Sequence, residues 1–215
     1  MKTVNDIREQ FKVLKYNNDI SENGTIEIIN TSFIADESCI FGTLNEAYAE
    51  AELNWYLSES LNVDDIPGKT PKIWKNISSD KNEINSNYGW CIFSDKNKNQ
   101  FLSAVNCLFK DKYSRQAAMI YNRPSMHVDS KKDNMNDFMC TYSTQLLIRK
   151  NKLEYIVYMR SNDAVYGYKN DKHWHDYVHK AAFNMLKTFY NNLEIGQMYW
   201  NAASLHVYER HFELI

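Results

Sequence analysis

Cys140 follows a polar stretch, Lys131 to Asp137, and stands at the head of a β-rich run. A thiol at a strand end is reachable, and a nearby cation would stabilise the thiolate that nucleophilic attack requires. The competing reading is a buried structural cysteine. Glu52 lies in a helical pattern with Tyr48 and Tyr56 four residues to either side. A carboxylate against aromatic faces loses hydration, so its pKa rises toward the range useful for general acid/base work. A boundary glutamate with its head in water is the plainer alternative. Arg160-Ser161-Asn162-Asp163 sets a guanidinium, a hydroxyl and a carboxylate side by side at a strand end. Such a set could hold a phosphate and orient a polar ring, although a solvated strand end looks the same. His175 and His179, four apart on a helix, have metal-pair spacing. No HExxH and no suitably placed acid accompany them, so with His173 they read as surface or core histidines and no metal is expected. His206 and Tyr208 alternate onto one face of a strand, next to Ser204.

Composition bounds what these groups can serve. The 215 residues suit one domain, 1–215, able to bury a real core. Lys+Arg 25 against Asp+Glu 27 leaves a net charge of −2, which argues against a protein that coats a nucleic-acid backbone. Arginine is confined to Arg8, Arg115, Arg123, Arg149, Arg160 and Arg210. Because its fork suits phosphate, the placement of these few matters. Cys39, Cys91, Cys107 and Cys140 form no CxxC pair or zinc spacing. With no leader-like start and no apolar run of bilayer length, the expectation is a cytosolic protein with reduced thiols and no membrane partner.

The elements that must position these groups can be read in outline. Thr3 followed by Asp6 is a capping-box start for a helix with Ile7, Phe11 and Leu14 on one stripe. Asn17 to Gly24 is a polar turn, and Thr25 to Ile29 alternates like a strand. Thr43 followed by Glu46 opens a second helix reaching about Ser58, with Leu44, Tyr48, Ala51 and Trp55 as its buried face. Leu61 to Asn87 is irregular, broken by Pro67-Gly68 and Pro71. Its aromatic loading marks an ordered segment covering a site. Asn99 to Lys110 is a helix and Ala117 to Tyr121 a strand. Phe138 to Ile148 and Leu153 to Met159 are strands joined by a hairpin turn at Arg149 to Lys152. Asn170 to Phe189 is a helix with Trp174, Tyr177, Val178, Ala181, Ala182 and Met185 inward. Ile195 to Ala202 and Leu205 to Tyr208 are strands. The pattern is α+β, a mostly antiparallel or mixed sheet with helices packed on one face.

Together these pieces resemble the thymidylate synthase superfamily. Its Pro-Cys-His nucleophile region, with a following Gln, stands here as Met139-Cys140-Thr141 with Gln145. Its Arg-Ser-x-Asp-x-x-x-Gly is Arg160-Ser161-Asn162-Asp163 with Gly167, its His-x-Tyr is His206-Val207-Tyr208, and its Glu-Leu-x-Trp is Glu52-Leu53-Asn54-Trp55. Tyr88-Gly89 survives from Tyr-Gly-x-x-Trp. Longer stretches are similar to the deoxycytidylate hydroxymethylase branch of T-even phages: Phe33 to Glu37, Ile66-Pro67-Gly68, Thr70 to Trp74, Glu83 to Trp90, Arg123 to Met126, Asp137 to Thr141 and Leu205 to Tyr208. Where thymidylate synthases place Asn after Gly-x-x-x, this chain has Asp171. A carboxylate accepts from the exocyclic amine of cytosine, whereas Asn matches uracil. An alignment shifted by one would put Asn170 there, but the spacing from Gly167 favours Asp171.

The resemblance implies a thymidylate synthase-like fold that dimerises sheet to sheet. It implies transfer of a one-carbon unit from 5,10-methylenetetrahydrofolate to C5 of dCMP with water addition, giving 5-hydroxymethyl-dCMP for modified phage DNA. Cys140, Glu52, Asp171 and Tyr88 would be catalytic. Arg115, Arg123, Arg160, Ser161, Asn162, Asp171, His206 and Tyr208 would bind substrate, with the arginines stabilising the Cys140 thiolate. In this family some of these arginines reach in from the second subunit of a homodimer. Trp74 and Asp163 would face the folate. A nucleotide-synthesis complex in the infected bacterial host is a further implied partner, and direct nucleic-acid binding is not. Alternatives are a relative acting on dUMP, CMP or another pyrimidine nucleotide, and a non-catalytic nucleotide-binding subunit. Three departures stand out. Gln116 replaces the second Arg of Ser-Arg-Arg. Ser21 to Gly24 offers an acid where the family has a basic loop residue, with Lys15 as a candidate substitute. Relatives carry a tail beyond the residues that here end at Ile215, which in thymidylate synthases closes over the folate.

Overall fold

A computed structural model describes all residues, Met1–Ile215. In chain order the elements are β1 (Lys2–Thr3), α1 (Val4–Tyr16), β2 (Thr25–Ile34), α2 (Glu46–Leu57), α3 (Lys72–Ile77), α4 (Tyr88–Phe93), α5 (Gln100–Lys110), β3 (Ala118–Ile120), α6 (Met126–Asp129), β4 (Thr141–Arg149), β5 (Lys152–Met159), β6 (Asn162–Asp163), α7 (Gly167–Lys187) and β7 (Glu194–Tyr208), with short 3-10 turns between them.

Local chemistry explains many of the boundaries. The capping box at Thr3 forms as expected, Thr3 and Asp6 each satisfying the other's backbone N–H. Asn45, not Thr43, caps α2 by accepting from the Tyr48 amide. The buried face of α2 is also rotated from the expected one, to Ala49, Glu52, Leu53, Trp55 and Tyr56. At the β4–β5 hairpin, Lys150 and Asn151 both have positive φ, which matches the twist of a tight two-residue turn. Phe138 to Cys140 precede β4 rather than belonging to it. β7 runs unbroken through the expected gap at Ala203-Ser204, because β2 pairs with it from Thr25↔Tyr208 to Ile34↔Tyr199.

The strand order is β1-β2-β7-β5-β4-β3, with β6 also on β7. The sheet is mixed: β1 on β2, β5 on β7 and β6 on β7 are parallel, the other pairs antiparallel. Alternation along β4 and β5 buries Thr144, Leu146, Ile148, Leu153, Tyr155, Val157 and Met159 against the helices. The opposite face leaves Gln145, Ile156 and Tyr158 at least partly exposed. α7 starts three residues earlier than the pattern predicts. Its inward face holds Tyr168, Trp174, His175, Val178, His179, Ala182 and Leu186, while Met185 is turned out. His175 and His179 are core histidines with separate partners. The first pairs with the Tyr155 hydroxyl at 3.1 Å, and Nε2 of the second lies 2.7 Å from the Leu153 carbonyl.

Candidate active site

Three elements and two strand ends converge beside α7. The bend after β5 places Arg160 against the segment that leads into β4. The Arg160 amide donates to the Cys140 carbonyl at 2.8 Å. Its guanidinium donates to the carbonyls of Met139 (2.9 Å) and Phe138 (2.5 Å) and lies 3.7 Å from Cys140 Sγ. The thiol therefore has its cation. Burial nonetheless outweighs that charge and pushes Cys140 up to about 11, with Arg160 pulling the other way. The expectation of an arginine-stabilised thiolate holds for the sign of that one contribution and not for the net result in the free protein.

Glu52 is not a boundary residue. It is 5% exposed, and burial pushes its pKa up to about 7 against the pull of hydrogen bonds from Tyr48 and Trp74. The Tyr48 hydroxyl donates to Glu52 Oε1, and the Trp74 indole N–H lies 3.1 Å from the same oxygen. α3, inside the segment read as irregular, is what delivers Trp74. Tyr88 at the start of α4 stacks on Tyr56, ring centroids 5.2 Å apart. That approach depends on Gly89, where a Cβ would fall 1.8 Å from the Tyr56 carbonyl oxygen.

Asp171, one turn into α7, accepts from the Asn162 amide at 2.7 Å. Burial, then the charge of Glu52, raises it to about 8, with Tyr88 and Asn162 lowering it. The Asn162 carbonyl oxygen is sealed from solvent and has no partner. Parallel pairing of β6 with β7 sets Asp163 opposite His206. Asp163 Oδ1 accepts from the Val165 amide at 2.8 Å, and Oδ2 has no protein partner. His206 is buried, packs edge-on against Tyr208 at 4.9 Å, and meets the Ser204 hydroxyl at 3.2 Å.

Cys140, Glu52, Tyr88, Arg160, Asn162 and Asp171 thus share one neighbourhood, with Trp74, Ser161, Asp163, His206 and Tyr208 on its flanks. Arg115 and Arg123 do not join it within the chain. Arg123 bonds Asn85, Ser125 and Asp129 and lines an open recess of about 280 Å³ with Phe138 and Tyr142. Arg115 is exposed beside a second recess of about 410 Å³. Lys15 is committed to the Phe212 carbonyl, at 2.5 Å.

Asp137 escaped the sequence reading, because a carboxylate closing a polar loop gives no sign of burial. It is 4% exposed and accepts from the amides of Asn85 (2.7 Å) and Ser86 (2.8 Å) and from the Ser86 hydroxyl (2.6 Å). It fastens the entry to α4 against the residues leading to Cys140.

Residues 43–215 match the thymidylate synthase family. The chain belongs to that family. It is 50% identical over 193 residues to the deoxycytidylate 5-hydroxymethyltransferase of Enterobacteria phage T4, covering 89% of this chain and 78% of that one. Among solved structures it is similar to thymidylate synthase from T4 phage (TM-score 0.70, 21% identity, 94% of this chain and 78% of that one). It is also similar to thymidylate synthase A from Bacillus subtilis (TM-score 0.67, 21% identity, 96% and 81%). The fold is the α+β fold of the family. No helix is long and apolar enough to cross a membrane.

Proposed function

We propose that the protein is a dCMP hydroxymethylase, converting dCMP, 5,10-methylenetetrahydrofolate and water to 5-hydroxymethyl-dCMP and tetrahydrofolate. The observation that carries this reading is the 50% identity over 89% of the chain to the T4 enzyme. The placement of Asp171, rather than Asn, within hydrogen-bond reach of Asn162 supports it.

In this reading the Cys140 thiolate adds to C6 of cytosine, making C5 nucleophilic. Its proton must leave first, and Arg160 is the cation that stabilises the negative group left behind. Asp171 shares a proton with N3 and accepts from the exocyclic amine. Arg160 and Ser161 hold the 5′-phosphate, and His206 and Tyr208 hold the 3′-hydroxyl. The folate supplies the one-carbon unit. Partly exposed Trp74, and Asp163 with one uncommitted oxygen, fit a pterin that offers a flat face and ring donors.

C5 then gives up its proton, the C–H electrons form the exocyclic methylene, and the bond from that carbon to the folate nitrogen breaks onto nitrogen, releasing tetrahydrofolate; water adds to the methylene. The C–O bond forms, the water proton passes to Glu52, and the methylene π electrons move into the ring. Their return through C5 restores the C5–C6 double bond and expels Cys140 as thiolate. The chain works as a homodimer in which Arg115 and Arg123 serve the partner's phosphate, since neither reaches Cys140 of its own chain. Incubating the protein with dCMP and methylenetetrahydrofolate tests the reading. Equimolar loss of both, abolished in Cys140→Ser, is expected; a well-folded protein that leaves dCMP untouched contradicts it.

A further inference from the structure

Glu52 is gripped asymmetrically. The Tyr48 hydroxyl, one helical turn before it on α2, donates to Oε1. The Trp74 indole N–H, arriving from α3, lies 3.1 Å from that same oxygen and 3.0 Å from the Tyr48 oxygen. Oε2 has no protein partner and is not sealed from solvent. We propose that Tyr48 is a positioning residue for Glu52, holding one carboxylate oxygen so that the other is the single site where a proton is taken up and returned. The role of Glu52 in proton transfer rests on the function proposed above; the grip itself does not.

Two physical points carry the inference. A carboxylate held at one oxygen by two donors from different helices loses the freedom to turn about its last torsion, so its free oxygen keeps one direction. Tyr48 also stays a donor throughout the working range, because burial, and then the charge of Glu52, push its pKa upward. The titratable groups around the carboxylate are Tyr48 and Tyr56 on α2 and Asp171 on α7. No lysine, arginine or histidine contributes to its charged form. His173, on α7, is turned to Glu50 at 3.5 Å instead. Tyr48 and Trp74 are therefore what stabilises ionised Glu52. The sequence pattern placed Tyr48 beside Glu52 but assigned it to the buried face of α2, which hid this role.

The test is a ¹³C-carboxyl NMR titration of protein labelled at glutamate side chains, the Glu52 signal being identified by its loss in Glu52→Gln. Tyr48→Phe removes one donor and should raise the Glu52 midpoint by about one pH unit, tenfold in the acid constant. The rising limb of kcat against pH should move up by the same interval, with KM for dCMP unchanged within about twofold. An unmoved midpoint overturns the proposal. So does a fall in kcat with the limb in place, which a merely structural role would give. Should Tyr48→Phe not fold, Trp74→Phe removes the second donor and must move the midpoint in the same direction; no movement there overturns the proposal equally. Absence of turnover in the unaltered protein would sink the proposed function while the NMR midpoints still decide the role of Tyr48.

Discussion

At Cys140, burial and charge pull in opposite directions, and burial wins. The free thiol at about 11 is protonated at neutral pH despite a guanidinium 3.7 Å away. Alkylation of Cys140, followed by mass spectrometry on the free protein, should therefore keep accelerating well past pH 9. Arg160→Met should slow it about tenfold at pH 8 by removing the one neighbouring cation. A plateau below pH 9 would contradict this balance. In the proposed function Asp171 sets base choice: Asp171→Asn should swap a carboxylate that favours cytosine for an amide that matches uracil. Competition between dCMP and dUMP should then shift toward dUMP by about tenfold or more; unchanged dCMP preference removes Asp171 from that role. Motif spacing picked out Cys140, Arg160 and Asp171, because their chemistry is in their residue type, and the fold brings them into one neighbourhood. The state of each was not legible there. Whether Glu52 meets water or protein is decided by Trp74, 22 positions away, and no local pattern encodes that contact.

Elements with a local cause were read well, and those shaped by partners were not. The Thr3–Asp6 cap of α1 and the Lys150-Asn151 turn are written in adjacent residues. The continuous β7 exists because β2 lies along its length, and the parallel β5–β7 pairing joins segments with a helix between them. The rotated face of α2 has a similar origin. α4 packs on it through Gly89, so Tyr56 and Glu52 are buried where hydropathy favoured Ala51. Gly89→Ala should accordingly be among the costly small substitutions, because the new Cβ meets a main-chain oxygen that cannot step aside. A loss of about 3 kcal/mol in urea unfolding is expected. A loss within about 0.5 kcal/mol, the range of an ordinary surface change, would show that α4 can shift away from α2 freely.

For the whole molecule, the site is bought at the expense of stability. Glu52 at about 7 and Asp171 at about 8 both titrate above the range of an unfolded carboxylate. Between roughly pH 4 and 8 the folded state holds protons that the unfolded chain has released, so their joint effect lowers stability as pH rises through that window. Below it neither group costs anything; above it the penalty is complete. Glu52→Gln should thus stabilise the fold at pH 8.5, on the order of 3 kcal/mol by the size of the displacement, and far less at pH 4.5. Equal effects at both pH values would contradict the buried carboxylate. The central claim is that water, not hydride, finishes the reaction on dCMP. It is tested most directly by running the reaction with methylenetetrahydrofolate in ordinary and in ¹⁸O-enriched water and weighing the nucleotide. The account predicts a gain of about 30 Da in the first and about 32 Da in the second. A gain of about 14 Da, or no difference between the two waters, would contradict it.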